Sequence, residues 1–150
     1  MPTRLKDFAT AVVAVVEPET AALTVAQLMR QHHIGALVVV DAQDKTRPVG
    51  IVTDRDLVLA LMAEGLDPTL FTAGDIMSIE LVVANAELDA MEAVQLMRTQ
   101  RVRRLVLVDA QGALAGIVTM EDLLELLTRE LANLTAGVIG ARDREFEYRH

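Results

Sequence analysis

Short apolar runs rich in β-branched residues divide the chain, and polar or turn-forming residues bound each run. Runs of this length predict strands, and the continuous ones predict strands buried on both faces. The predicted strands are Val12–Val16, Leu37–Val40, Val49–Val52, Leu81–Val83, Leu105–Val108 and Leu114–Val118. Between them, apolar residues three and four positions apart predict helices. The predicted helices are Ala22–Gln31, Asp54–Glu64, Asp89–Thr99 and Glu121–Asn133. The order of elements is therefore β-α-β-β-α, and it occurs twice.

The same order occurs twice because the sequence repeats itself. Gln27–Arg30 and Gln95–Arg98 are identical at an offset of 68 residues, and Val40–Gln43 matches Val108–Gln111 at that offset. Beyond these turns the offset falls to 66, since the first turn is two residues longer. Length changes are tolerated in surface turns. Two copies of one folding unit are indicated.

The repeat also predicts the domain boundaries. Residues 1–70 form the first copy and residues 71–134 the second, with Gly65–Gly74 as the connector. Residues 135–150 form a C-terminal tail. Its last part, Ala141–His150, is charged and has little periodicity, so we expect it to be loose.

Both copies contain one short motif where a buried strand meets a helix. It reads Gly50–Asp56 in the first copy and Gly116–Asp122 in the second. In each, a Thr precedes an Asp by three residues, which is the spacing of a helix capping box. The same place presents free backbone N–H groups, a hydroxyl and a carboxylate, which suits a ribose with a phosphate nearby. The motif alone leaves both interpretations open.

With its flanking strands, this motif resembles the cystathionine-β-synthase (CBS) domain, and two in tandem resemble a CBS pair, or Bateman module. The residues that carry the resemblance are Gly35–Asp41 and Gly50–Asp56, with their counterparts in the second copy. The resemblance covers about residues 8–134. It implies an α/β (α+β) fold in which two β-α-β-β-α repeats pack about a pseudo-twofold axis and leave two clefts. It also implies that such pairs dimerise.

The resemblance further implies adenosyl ligands in the clefts and a role for particular residues. The ribose-binding residues would be Thr53, Asp56, Thr119 and Asp122. The phosphate-binding residues would be Arg103 and Arg104, whereas the matched positions Gly35 and Ala36 carry no charge. We therefore expect one cleft to combine the two arginines with Asp122. Val38 and Val106 stand where the family often has Pro.

Composition excludes several other classes of function. The 150-residue chain has a net charge of −8, one Tyr, three Phe and no Trp, so we expect no nucleic-acid partner. It has no Cys, which excludes disulfides, thiolate metal sites and a Cys nucleophile. His32 and His33 are adjacent and point in different directions, unlike a metal pair, and His33 is expected to cap a helix. We expect no metal site. No catalytic motif is present, so we expect no catalytic residue and no enzyme.

The ends and apolar runs of the chain bear on its location. The first ten residues lack a basic segment followed by an apolar core. The apolar runs, such as Leu57–Ala63, are far shorter than a bilayer span. We therefore expect a cytoplasmic protein with no membrane partner.

Two helices are apolar on more than one side. Leu57–Ala63 is apolar all round, and the helix from Glu121 carries a wide face of leucines. Such faces are buried in a core or against another chain. We expect these helices to form a homodimer interface, which replacing Leu61 by Glu should weaken.

Our leading hypothesis is a stand-alone regulatory CBS pair. It would bind AMP or ATP foremost, or ADP, S-adenosylmethionine or NAD, and it would need no cofactor. The ligand would shift the population of one arrangement and signal energy state to an unknown protein partner in trans. The alternative is a ligand-free dimerisation or protein-interaction module in which Thr and Asp serve only as helix caps.

Overall fold

The computed structural model describes residues 4–7, 9 and 14–149, with side chains to residue 147. The first repeat contains strands β1 (Val15–Val16), β2 (Ala36–Val40) and β3 (Pro48–Thr53) and helices α1 (Ala22–His32) and α2 (Asp54–Leu57). The second contains α3 (Ala73–Ile76), β4 (Val83–Asn85), α4 (Ala90–Gln100), β5 (Arg104–Val108), β6 (Leu114–Thr119) and α5 (Met120–Arg149). A 3-10 turn lies at Leu5–Asp7 and a π-helix at Val58–Met62.

Each repeat forms its own three-stranded sheet, in the order β1-β2-β3 or β4-β5-β6. The first pair in each sheet is parallel and the second is antiparallel. Val38 lies opposite Ile51 and Val106 opposite Ile117, and both sheets have a register shift at the same place, before Val40 and Val108. This equivalence confirms the predicted mixed fold of two matching repeats.

The strand predictions hold with two differences. Of the first predicted strand, only Val15–Val16 is paired, and Val12 and Val13 lie outside the described residues. The strand predicted at Leu81–Val83 begins at Val83 and runs to Asn85. The preceding residues are apolar, but they take part in the central cleft described below.

The two repeats are joined by an exchange of their leading segments. Leu5 is fully buried in the core of the second repeat, and its counterpart Ala73 is fully buried in the core of the first. Backbone hydrogen bonds hold both segments: Leu5 N donates to Leu88 O (2.9 Å), and Ala73 N donates to Thr20 O (2.7 Å). Each hydrophobic core is thus completed by the other repeat.

The opposite face of each sheet is also buried. Leu37 and Val39 pack in the first core, so the alternation of a strand turns Val38 to the other face. Val38 and Val106 are nevertheless 0% and 2% exposed. Burial on both faces explains why valine, and the continuous apolar runs around it, occupy these middle strands.

The last helix overturns our prediction of a loose tail. We expected a helix ending at Asn133, but α5 continues to Arg149 as 30 helical residues. No Pro interrupts it, and Gly137 and Gly140 are tolerated inside it at about 1 kcal/mol each. The weak 3.6-residue periodicity suggested that this segment is not helical. From Leu127 to Glu147, however, every side chain is exposed, so no buried face imposes a periodic pattern of apolar residues.

Candidate functional site

A cleft of about 300 Å³ lies between the two repeats, and we call it the central cleft. Its lining residues come from β3, from the segment before β4, and from the start of β5. They are Ile51, Thr53, Ser78, Glu80, Leu81, Val82, Val102, Arg103, Arg104 and Val106. The lining therefore combines apolar side chains with two arginines, the hydroxyls of Thr53 and Ser78, and the carboxylate of Glu80.

Backbone hydrogen bonds position the segment Ser78–Val82 across both sheets. At one end, Ile51 and Ser78 exchange two bonds, with N···O distances of 3.0 and 2.9 Å. At the other end, Val106 N donates to Val82 O at 3.0 Å. The segment thus connects β3 of the first repeat with β5 of the second, and it lies along the cleft that they share.

Gly50 allows this segment to approach β3. A Cβ atom at Gly50 would lie 2.4 Å from Sδ of Met77, the residue before Ser78. A side chain here would push the crossing segment away from the strand. This close approach accounts for the first residue of the motif in structural terms.

The Thr–Asp pairs of the motif both form the predicted capping boxes. Thr53 N donates to Oδ2 of Asp56 (2.8 Å), and Asp56 N donates to Oγ1 of Thr53 (3.2 Å). The matching distances at Thr119 and Asp122 are 2.9 and 3.1 Å. Each box uses one oxygen of its carboxylate.

A third capping box was missed in the sequence. Thr72 N donates to Oδ2 of Asp75 (2.9 Å), and Asp75 N donates to Oγ1 of Thr72 (3.2 Å), at the start of α3. The spacing of Thr and Asp is the same as in the motif, so the signal was present. It was overlooked because Thr72 lies within the predicted connector, Gly65–Gly74, where no helix is expected to begin.

Arg103 and Arg104 are exposed; Arg104 is the first residue of β5 and Arg103 precedes it. The carbonyl of Arg103 accepts the N–H of Met120 at 2.8 Å, which ties the arginine backbone to the first residue of α5. Its Nη2 forms an ion pair with Oε1 of Glu121. The pKa of Glu121 is lowered by a hydrogen bond from its own backbone and then by the guanidinium of Arg103.

The structure changes the predicted pairing of site residues. We expected Arg103 and Arg104 to share a cleft with Asp122, their neighbour in the same repeat. They share the central cleft with Thr53, from the other repeat, and its lining includes none of Asp56, Thr119 and Asp122. The reason is that the cleft lies between the two repeats, where residues at the start of β5 and the end of β3 line it together.

The related cleft beside Thr119 falls largely outside the described residues. At the offset of 68, the counterparts of Ser78, Glu80 and Leu81 are Thr10, Val12 and Val13. These three residues are not described. The geometry that Thr119 and Asp122 could offer a ligand therefore remains an expectation.

Within the described part of the chain, no group of three or more acidic or histidine side chains is placed to hold a metal ion. His33 ends α1 in the left-handed conformation, with φ of 54°, and its N–H donates to Met29 O. No helix among the described residues is both long and apolar enough to cross a bilayer.

Comparison with protein families gives a direct match. The model of the CBS domain matches residues 5–63 and again residues 73–129. Among curated relatives, an uncharacterised protein of Methanopyrus kandleri is 41% identical over 109 residues, which are 73% of this chain and 55% of that protein. The chain thus spans about half the length of that relative. The CBS domain-containing protein YhcV of Bacillus subtilis is 38% identical over 133 residues, which are 89% of each chain.

Solved structures give the same picture of the fold. Hypoxic Response Protein I, solved with two coordinated zinc ions, has a TM-score of 0.70 and 35% identity, covering 82% of this chain and 98% of its own. CBSX2, solved in complex with AMP, has a TM-score of 0.68 and 26% identity, covering 84% of this chain and 96% of its own. The fold of the chain is therefore that of paired domains in these proteins.

Proposed function

The chain belongs to the CBS domain family, and on that premise we propose that it binds an adenosyl nucleotide, AMP or ATP foremost, in the central cleft. We propose further that the bound nucleotide regulates a protein partner in trans. The observation that carries this proposal is a cleft between the repeats whose lining combines apolar side chains with Arg103 and Arg104 of the second repeat and Thr53 of the first. Ser78 and Glu80 are its other polar lining residues. A relative of this fold, CBSX2, was solved with AMP.

The chemistry of the lining suits the three parts of a nucleotide. Ile51, Val82 and Val106 offer an apolar surface for a base. Arg103 and Arg104 offer guanidinium groups, which bind phosphate oxygens in pairs. A volume of about 300 Å³ lies at the lower end of the range for small-molecule sites.

Ribose recognition is proposed for the Thr–Asp pairs. Asp56 does not itself line the central cleft, but its Oδ2 accepts a hydrogen bond from Thr53, which does. Its other oxygen, Oδ1, is the proposed acceptor of a ribose hydroxyl. The same roles are proposed for Thr119 and Asp122 in the second cleft. A capping box and a ribose site are compatible, because a carboxylate has lone pairs for several donors.

A regulatory mechanism follows from the origin of the lining residues. The central cleft takes residues from both repeats and from the segment that joins their sheets. A nucleotide that contacts all three binds best to one relative arrangement of the repeats, and it shifts the population toward that arrangement. A partner that contacts both repeats can then detect the change.

The test of the proposal separates phosphate recognition from general binding. Calorimetric titration of AMP and adenosine should show that Arg104→Ala weakens AMP about tenfold, because a charge-assisted hydrogen bond contributes about 1.5–3 kcal/mol. Adenosine affinity should stay unchanged. Arg98→Ala, at an exposed position of α4 that does not line the cleft, is the matched control. Equal losses for AMP and adenosine would remove the phosphate role.

A homodimer is also proposed, and one observation favours it. The π-helix of the first repeat exposes three large apolar side chains: Val58 (46%), Leu59 (51%) and Met62 (75%). Leu61, which we expected at this interface, is instead 3% exposed and belongs inside the fold. The replacement that tests association is therefore Met62→Glu, which should weaken the dimer in sedimentation without unfolding the chain.

This apolar surface equally supports the alternative, a module that associates without any ligand. The two functions separate in a melting experiment. A nucleotide sensor is stabilised by AMP, and the stabilisation rises with the logarithm of the AMP concentration once that concentration exceeds the dissociation constant. A ligand-free module keeps its melting temperature at every AMP concentration.

A further inference from the structure

The part of α5 beyond Leu126 is a long, solvent-exposed helix. Leu123 and Leu126 are its buried side chains, at 3% and 9% exposure, and both face the core of the second repeat. From Leu127 to Glu147 every side chain is exposed. A helix of this length needs tertiary or quaternary contacts for most of its stability in water.

Among the described side chains of α5, seven large apolar ones are exposed; five of them follow a heptad, and Ile139 and Phe146 lie outside it. Leu124, Leu127, Leu131, Leu134 and Val138 recur at alternating steps of three and four residues, and they are between 42% and 66% exposed. Ala141 continues the same series. This is a 3.5-residue period, which is the period of a helix that pairs with another helix as a coiled coil. We call these six residues the heptad seam.

We infer that the heptad seam pairs α5 with α5 of a second copy of this chain, as an antiparallel coiled coil. The inference rests on the proposed homodimer and adds the residues and the direction of the helices. Leu123 and Leu126 hold α5 to its own repeat through a different face, so the seam can receive a second helix without disturbing the core.

The antiparallel direction uses the whole seam. In one antiparallel register, Leu124 lies opposite Ala141 of the second copy, Leu127 opposite its Val138, and Leu131 opposite its Leu134. Twofold symmetry repeats these layers, so all six residues are covered. Large residues thereby meet smaller or equal ones, which favours even packing of the layers.

Charge complementarity decides between the two directions. In the antiparallel register, Glu121, which flanks the seam near its start, lies beside Arg142 of the second copy, and symmetry makes this pair twice. A carboxylate that already bonds Arg103 can accept a second guanidinium. In a parallel pair, Glu130 would face Thr135, and Gly137 would face Arg142, so these flanking positions bring no opposite charges together.

The first experiment tests whether the seam associates. Sedimentation equilibrium of the full chain should show a dimer whose dissociation constant rises at least about tenfold in Leu134→Glu, because a charge would be buried without a partner. Ala136→Glu, on the far side of the same helix, is the control and should leave the dimer unchanged. A monomeric wild type, or equal effects of both variants, overturns the inference.

The same variants distinguish this inference from the proposed function. AMP affinity of Leu134→Glu, measured by calorimetry, should equal that of the wild type, since the seam does not line the central cleft. If Met62→Glu breaks the dimer and Leu134→Glu does not, the homodimer stands and the coiled coil is overturned. If neither the wild type nor any variant binds AMP, while Leu134→Glu still dissociates the dimer, the proposed ligand is wrong and the coiled coil stands.

The second experiment tests the direction, and it uses the absence of Cys from the native chain. Leu124→Cys and Ala141→Cys are made separately, mixed, allowed to exchange and oxidised. An antiparallel pair places the two Cys close enough for a disulfide in the mixed dimer. Like positions would lie about 25 Å apart along the helix, so neither variant alone should cross-link. Cross-linking of Leu124→Cys alone indicates a parallel pair and overturns the inference, as does failure of the mixture to cross-link.

Discussion

Arg103, which lines the central cleft, donates a hydrogen bond from Nη2 to Oε1 of Glu121 in the first turn of α5. The carboxylate of Glu121 is therefore already bound to Arg103, one of the two residues that we propose to bind a phosphate. By the offsets of the repeat, the counterparts of Arg103 and Glu121 are Gly35 and Arg55, so the first repeat has no such pair. A nucleotide phosphate would have to compete with Glu121 for Arg103.

Removing this competitor should strengthen phosphate binding. Both side chains are well exposed, and ion pairs of this kind contribute about 0–1 kcal/mol. Glu121→Gln should therefore raise AMP affinity by a factor of up to about five and leave adenosine affinity unchanged. The control is Glu125→Gln, an exposed acid of the same helix. Calorimetry in low salt, where screening is weakest, is the measurement. An equal gain in both variants would show a general charge effect.

The capping and ribose roles of Asp56 can be separated with a matched variant. Asp56→Ala and Asp75→Ala each remove the acid of one capping box, so each should lower the free energy of unfolding by about 0.5–2 kcal/mol. Asp56→Ala alone should also weaken AMP and adenosine, since Asp75 is not proposed to touch ligand. Urea denaturation and calorimetry measure the two effects. Equal stability losses without any change in affinity would leave Asp56 as a cap only.

The exchange of leading segments should make Leu5 important to both repeats. Its side chain is 0% exposed inside the second core, although it belongs to the first repeat in sequence. Leu5→Ala should cost about 2–5 kcal/mol of unfolding free energy through the cavity that it leaves. Leu66→Ala, at a position that is 40% exposed, is the control and should cost much less. A small loss in Leu5→Ala, measured in urea, would contradict the observed packing.

The same segment should loosen in acid. Glu87 accepts hydrogen bonds from Lys6, at 2.7 Å, and from Arg4, and the Lys6 bond is the largest cause that lowers the pKa of Glu87. A lowered pKa in the folded state stabilises the fold above the unfolded value, about pH 4.3, and that stabilisation is lost as pH falls through the folded value.

The corresponding measurement compares Glu87→Gln with the wild type at two pH values. The variant should have the lower urea midpoint at pH 7, and the difference should shrink as pH falls toward 3, because protonation of the wild-type carboxyl removes the same ion pairs. Glu64→Gln, an exposed acid after the π-helix, provides the control. A difference that persists unchanged at pH 3 would mean that the ion pair is not its cause.

Features governed by local spacing could be predicted from the sequence. Leu37–Val40 and Leu105–Val108 are continuous apolar segments, and both form buried middle strands. The Thr–Asp spacing at Thr53 and Thr119 predicted capping boxes that the structure confirms. These features depend on neighbours within a few residues, which the sequence displays directly.

Features that depend on packing between distant parts of the chain could not be predicted from the sequence. The sequence by itself determined that the chain contains two similar β-α-β-β-α units and that Thr53 and Thr119 cap the helices after the motif. Only the tertiary structure decided that Arg103 and Arg104 line one cleft with Thr53 rather than with Asp122, because that cleft forms between the two repeats and not along the chain. It also decided that Leu5 completes the other repeat's core, since an exchange of segments leaves the local pattern of apolar residues unchanged.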